Sequence, residues 1–160
     1  MAIMLKPEWF QEFVSKVGAN SEFVEGMKKW EGEVSIGLKP SPEIGLDKEL
    51  YYKIDPSGGA VKGMGYCNKG EAERAKACIL VDYLTFKDLA AGKIDMGKLI
   101  MSRKASIKGD MMYAMKFLKP ITAMVSLLKD VGGGFPDALK GGELEDFKKW
   151  TKETQAKVGA

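Results

Sequence analysis

The apolar residues of this chain change their period at Gly32, and that switch limits the folds open to it. Before it, Phe10, Phe13, Val14 and Val17 recur at i, i+3, i+4 and i+7, the spacing of one buried helix face. Pro7 suits the first helical position, because it has no N–H to leave unpaired. Gly18-Ala19-Asn20 breaks this helix, and Ser21 is placed to cap a second one. There Phe23, Met27 and Trp30 form a core-facing stripe before Gly32 stops it. After Gly32 the period becomes two. Val34, Ile36 and Leu38 alternate with Glu33, Ser35 and Gly37, as in a half-buried strand.

Pro40-Ser41-Pro42 interrupts pairing, since proline cannot donate to a ladder. Alternation resumes at Leu50, Tyr52 and Ile54, Asp55 to Gly59 reads as a hairpin loop, and Ala60 to Tyr66 is a glycine-rich third strand. Lys69-Gly70-Glu71 falls in a loop or short helix, and the apolar run Ala77 to Val81 is a central strand. Helices followed by strands on short turns predict an α+β chain with a mostly antiparallel sheet. A short helix then starts near Thr85-Phe86-Lys87-Asp88 and ends at Gly92. Ile94 to Arg103 is helical, with Asp95 as cap, and Lys104 to Lys108 is a last strand. Met111 to Leu128 forms a long apolar helix kinked at Pro120. The boundary falls at Gly132-Gly133-Gly134, giving a domain over 1–131 and, over 132–160, a linker plus a helix (Glu143 to Lys157) docked on that domain.

Composition removes most catalytic classes. There is no histidine, so triads, HExxH zinc sites and imidazole general bases are excluded. Cys67 and Cys78, separated by ten residues, form no CxxC pair. Cys78 sits in an apolar run as an inert thiol, with Cys67 the more exposed of the two. Gly58 and Gly63 have Walker-A spacing, but Met64-Gly65 stands where Lys-[Ser/Thr] is needed; Gly63-Met64-Gly65 opens a dinucleotide fingerprint that Asn68 leaves unfinished. The scattered carboxylates read as solvated helix faces. No catalytic residue, metal or cofactor is therefore expected. A net charge of +3 is too small to imply nucleic acid. The opening Met1 to Pro7 is too short for a signal peptide, and Ile121 to Leu128 is too short to span a bilayer. A soluble cytoplasmic protein is expected, since two lone thiols fit a reducing compartment.

The most informative stretch is Met111 to Leu128, apolar nearly all round. Such a helix is deeply buried or borders an apolar cavity. Methionines suit surfaces that accept varied apolar shapes, and four lie between Met111 and Met124. Nearby cations, Arg103, Lys104 and Lys108 foremost, are available for a carboxylate or phosphate headgroup. Together these features point to an amphipathic ligand with an acidic end.

The string from Gly92-Lys93-Ile94-Asp95 through Met96 to Met101, then Lys104-Ala105-Ser106-Ile107-Lys108-Gly109-Asp110 and Ala114-Met115-Lys116, resembles the C-terminal half of the sterol carrier protein type 2 family. The likeness is good from about Ala75 to Leu118; before that, only the order of elements agrees. It implies a five-stranded, mostly antiparallel sheet with helices on one face enclosing an apolar tunnel. It also implies binding of fatty acids, fatty acyl-CoA, sterols or phospholipids without catalysis. By position, Phe86, Leu89, Leu99, Ile100, Met112, Met115 and Leu118 would line the tunnel, and Met124 continues that apolar face. Arg103 departs from the family, which usually has glycine at this strand start, so the bend there is expected to differ. The closing Lys157-Val158-Gly159-Ala160 is no Ser-Lys-Leu signal, which argues against a peroxisomal address. The Pro40 to Asp47 insertion and the tail from Gly132 fall outside the resemblance.

The leading expectation is thus a non-enzymatic carrier whose partner is a hydrophobic small molecule or lipid, with at most transient membrane contact and no nucleic acid. A second reading is an accessory subunit that presents a small apolar substrate to a partner enzyme, or a homodimer, using exposed Phe147 and Trp150 in the tail.

Overall fold

The computed structural model describes residues 2–159; Met1 and Ala160, on which the readings of the two chain ends partly rest, lie outside the described residues. Helix α1 (Pro7–Ala19) begins with proline as its first residue and buries Trp9, Phe10, Phe13 and Val17. Helix α2 (Ser21–Gly26) is capped by Asn20 rather than by Ser21: the Asn20 side-chain oxygen accepts the Phe23 N–H at 2.9 Å. Five strands follow, β1 (Val34–Leu38), β2 (Leu50–Ile54), β3 (Met64–Cys67), β4 (Ala77–Val81) and β5 (Ala105–Gly109). They form one sheet in the order β3-β2-β1-β4-β5. Only β1 and β4 run parallel, with Ile36 opposite Ile79; the other three pairs are antiparallel. The third strand starts four residues later than its sequence indicates. A tight loop takes up Ala60 to Gly63, closed by Lys62 N–H to the Asp55 carbonyl at 2.8 Å.

Alternation along the strands decides both faces of the sheet. Val34, Leu38, Leu50, Tyr52, Ile54, Ile79 and Val81 point into one core with α1, α2, helix α4 (Tyr83–Ala90) and helix α7 (Leu118–Ser126). Tyr51, Cys67 and Cys78 point the other way, where the short helix α3 (Lys69–Glu73) covers them with Ala72. Helices therefore lie on both faces, although one of them carries nearly all the apolar burial. The buried Ser35 hydroxyl donates to the Ala72 carbonyl at 2.8 Å and ties α3 down. Cys67 is as buried as Cys78, against the expectation of exposure. Burial pushes its thiol up to about 11 and raises Cys78 as well, which keeps both unreactive.

Two helices differ in detail from the sequence reading. Helix α4 starts at Tyr83, because the Asp82 carboxylate accepts the Thr85 N–H at 2.7 Å and so acts as the cap. The long apolar segment is two helices, α6 (Met111–Met115) and α7, which break at Phe117 rather than at Pro120. The cause is still Pro120. Its ring excludes the carbonyl four residues back, that of Lys116, so the helix must end there and restart. Pro120 then sits in the first turn of α7, where its missing N–H costs nothing. It packs so tightly on α2 that a Cβ added to Gly26 would lie 2.7 Å from it.

The tail closes back on the sheet. Helix α8 (Gly142–Val158) buries Phe147, Thr151 and Gln155, so Phe147 belongs to the core and not to an exposed surface. Gln155 accepts the Lys48 N–H at 2.9 Å and donates to the Gly45 carbonyl at 3.2 Å. The two segments outside the family resemblance, the loop after β1 and the tail, thus hold each other.

Candidate functional site: an apolar seam under the sheet

The site begins with side chains that point inward from β1, β2 and β4 and are met by α1, α4 and α7. Between these layers lies an apolar cavity of about 60 Å³, lined by Phe10, Phe13, Ile36, Tyr52, Phe86 and Met124 among others. A second cavity of about 10 Å³ continues the line towards Leu5 and Leu50 and shares Phe10, Ile36, Tyr52 and Phe86 with the first. Phe10 stacks on Tyr52 with ring centroids 3.8 Å apart and planes 9° apart, and Tyr66 meets both rings edge-on. The interior therefore holds two small cavities that share Phe10, Ile36, Tyr52 and Phe86 as walls, and the described residues show no single open tunnel. Burial pushes the Tyr52 hydroxyl up to about 12 and Tyr66 well above its ordinary value, so both stay neutral across the physiological range. Tyr66 donates to the Leu5 carbonyl. The wall facing the sheet offers apolar contact and almost no charge.

At one end, Val125 of α7 also borders a cleft of about 260 Å³ between α7 and the segment from Leu89 to Lys98. Leu89 and Met96 form part of its lining, with Lys93, Lys98 and Lys129 around them. None of these three lysines forms an ion pair among the described residues. The apolar cavity and this lysine-lined cleft, which Asp95 also borders, thus share Val125 as a wall.

The structure distributes the residues singled out from sequence over several places. Phe86 and Met124 line the 60 Å³ apolar cavity. Leu89 lines the cationic cleft, Leu99 is buried in the same core without lining either cavity, and Leu118 is half-buried at the start of α7. Ile100, Met112 and Met115 lie at the surface, Met112 being 85% exposed. The apolar character of α6 is thus turned outward, because the break at Phe117 rotates it away from the face that α7 buries. Arg103 and Lys104 are exposed; Lys108 pairs with Glu73 of α3 at 2.8 Å, on the sheet face away from the cavities. Lys108 is therefore separated from the seam. Sequence reasoning assigned Phe10, Phe13, Ile36 and Tyr52 to the core. Their period marked them as inward, but no sequence signal distinguishes a core contact from a cavity wall.

Among the described residues no cluster of three or more His, Cys, Asp or Glu side chains is arranged to hold a metal, and no helix is long and apolar enough to cross a membrane. The sequence model of the SCP-2 sterol transfer family matches residues 15–121. The chain belongs to the SCP-2 sterol transfer family. The match reaches back to α1, well beyond the stretch in which the resemblance is legible by eye. Lipid and sterol binding and transfer are the family's activities, and its domain is in general a carrier rather than an enzyme. No curated protein matches the chain significantly in sequence. Among solved structures, the crystal structure of sterol carrier protein 2 superposes with a TM-score of 0.71 at 20% identity, covering 81% of this chain and 99% of its own. A Thermus thermophilus protein described as possibly a sterol carrier protein reaches 0.69 at 20% identity, covering 82% and 91%. The sterol carrier protein domain 2 of Helicoverpa armigera reaches 0.51 at 22%, covering 76% and 92%. At these identities the likeness is one of fold. The family match ends at residue 121, so Met124, Val125 and Leu128, three residues of the cavity wall, lie outside it.

Proposed function

We propose that this chain is a non-enzymatic carrier of a fatty acid, fatty acyl-CoA or similar lipid, held in the seam between the sheet and α1, α4 and α7. The observation that carries this reading is the line of apolar cavities that shares Val125 with a lysine-rimmed cleft. An acyl chain in the seam gains about 0.8 kcal/mol per buried methylene, so about a dozen methylenes supply sub-micromolar binding after ordering costs. Its carboxylate or phosphate end would meet Lys93, Lys98 and Lys129. Pockets that hold such ligands are usually about 300–1,000 Å³. The seam is far smaller, so loading requires α1 and α7 to part from the sheet and Phe10 to leave Tyr52. The two free, buried cysteines are the ground for placing the carrier in a reducing cytoplasm.

Titration with a fluorescent fatty acid and with the matching fatty alcohol tests this. The acid is expected to bind at micromolar concentration or better, and replacing Lys93, Lys98 and Lys129 by Gln weakens the acid while leaving the alcohol unchanged. Absence of binding by any fatty acid or acyl-CoA contradicts the carrier reading. The accessory-subunit reading loses the support of Phe147, which is core; Trp150 is half-buried against Tyr66 and under Lys6 and borders a cleft of about 490 Å³.

A further inference from the structure

Seven large apolar side chains are exposed in the described chain, and five of them, Ile100, Met101, Met111, Met112 and Met115, fall within sixteen consecutive residues. They sit on the two helices that enter and leave β5, namely α5 (Met96–Met101) and α6, and β5 is the outer strand at one edge of the sheet. Met111, Met112 and Met115 share a helix face by their i, i+3 and i, i+4 spacing. The same stretch concentrates charge. Residues 100–119 hold five cations against one carboxylate, a net +4, whereas the whole chain is +3 and the remaining 140 residues are therefore −1. Lys108 is used by Glu73, but Arg103, Lys104, Lys116 and Lys119 form no ion pair among the described residues. Arg103 adds a separate observation. It is one of two non-glycine residues with positive φ among the described residues, at +56°, so an exposed arginine occupies a turn position that glycine takes without strain.

We propose that the α5–β5–α6 edge is a peripheral docking surface for an anionic lipid bilayer, on which the methionines enter the headgroup layer and Arg103, Lys104, Lys116 and Lys119 meet lipid phosphates. Exposed apolar groups ringed by unpaired cations match the two attractions that hold a peripheral protein on an acidic membrane. A second copy of the chain fits worse, because pairing two such edges would bring two surfaces of +4 together. The docking surface takes its purpose from the carrier reading, since a carrier must exchange its ligand with a membrane, but it is measured separately from ligand binding.

Flotation with phosphatidylcholine vesicles, with and without phosphatidylserine, tests the proposal. The chain is expected to float only with phosphatidylserine present and to be released by salt. Each cation is worth about fivefold in binding, so Arg103→Gln with Lys104→Gln loses about 25-fold. Met112→Asp with Met115→Asp loses binding, while circular dichroism shows a folded chain and fluorescent fatty acid still titrates in solution. Equal binding to both vesicles, no binding by the parent chain, unchanged binding by the Asp variant, or a dimer in sedimentation that the Asp variant dissolves would each overturn it. If vesicle binding fails and the fatty acid still titrates, docking alone falls. If the fatty acid fails and vesicles still bind, the carrier reading falls.

Discussion

Arg103 stands at the turn before β5 with φ at +56°, a left-handed backbone that glycine adopts without strain. The left-handed conformation costs an L-residue about 1–2 kcal/mol, and glycine's larger unfolded-state entropy returns about 0.5–1 kcal/mol of that. Arg103→Gly is therefore expected to be as stable as the parent, or more stable by up to about 1 kcal/mol in urea unfolding. A loss of stability would show that the guanidinium has a structural role. Gly109 behaves in the opposite way. Its φ is +115°, and an added Cβ would lie 2.3 Å from the Lys76 carbonyl oxygen, where β5 meets β4. Gly109→Ala is expected to cost about 3 kcal/mol or more, read by the same unfolding measurement.

At the scale of elements, the tail is fastened by a few polar contacts. The Tyr83 hydroxyl donates to the Asp137 carboxylate at 2.7 Å, and the Lys87 ammonium lies 2.8 Å from its other oxygen. Burial alone would raise the Asp137 pKa, but the hydrogen bonds from Lys87 and Tyr83 outweigh it and hold the carboxyl below its usual value. A lowered folded pKa means that this clasp contributes fully above the ordinary carboxylate value of about 4 and is lost as pH falls through the folded one. Amide protection factors over residues 131–141, corrected for the intrinsic slowing of exchange in acid, should therefore fall as pH drops, and Asp137→Asn should remove that fall. Protection factors that stay constant with pH would place the fastening elsewhere. The helices and strands themselves were legible because their apolar period is strong: α1, β1, β2, β4 and β5 stand where Phe10–Val17, Val34–Leu38, Leu50–Ile54, Ala77–Val81 and Lys104–Lys108 put them. Caps and breaks were less legible. Asn20 and Ser21, like Asp82 and Thr85, are both cap-forming residue types near one helix start, and geometry decides which of them caps it. The outward turn of α6 was hidden for a related reason, since composition shows that a helix is apolar but not which side its neighbours leave uncovered.

For the whole molecule, the decisive quantity is the small volume of the seam. Phe10 and Tyr52 close it by stacking, and both belong to the main core. Phe10→Leu should widen the seam at a cost of about 1–2 kcal/mol in stability and speed the uptake of fatty acid in stopped-flow. An uptake rate that plateaus with ligand concentration in the parent chain would report the opening step; unchanged kinetics in the variant would remove Phe10 as the barrier. The cavity walls were partly legible, in Phe86 and Met124, because the family likeness and the apolar run reached those residues. The sheet side of the seam was not, since a lining residue and a packed residue share one sequence pattern. The most direct test of the central claim is photo-crosslinking with a diazirine fatty acid, followed by mass spectrometry of the labelled peptides. The account predicts labels on α1 around Phe10 and Phe13 and on α7 around Met124 and Leu128. Labels confined to the exposed Met111–Met115 surface, or none at all, would contradict it.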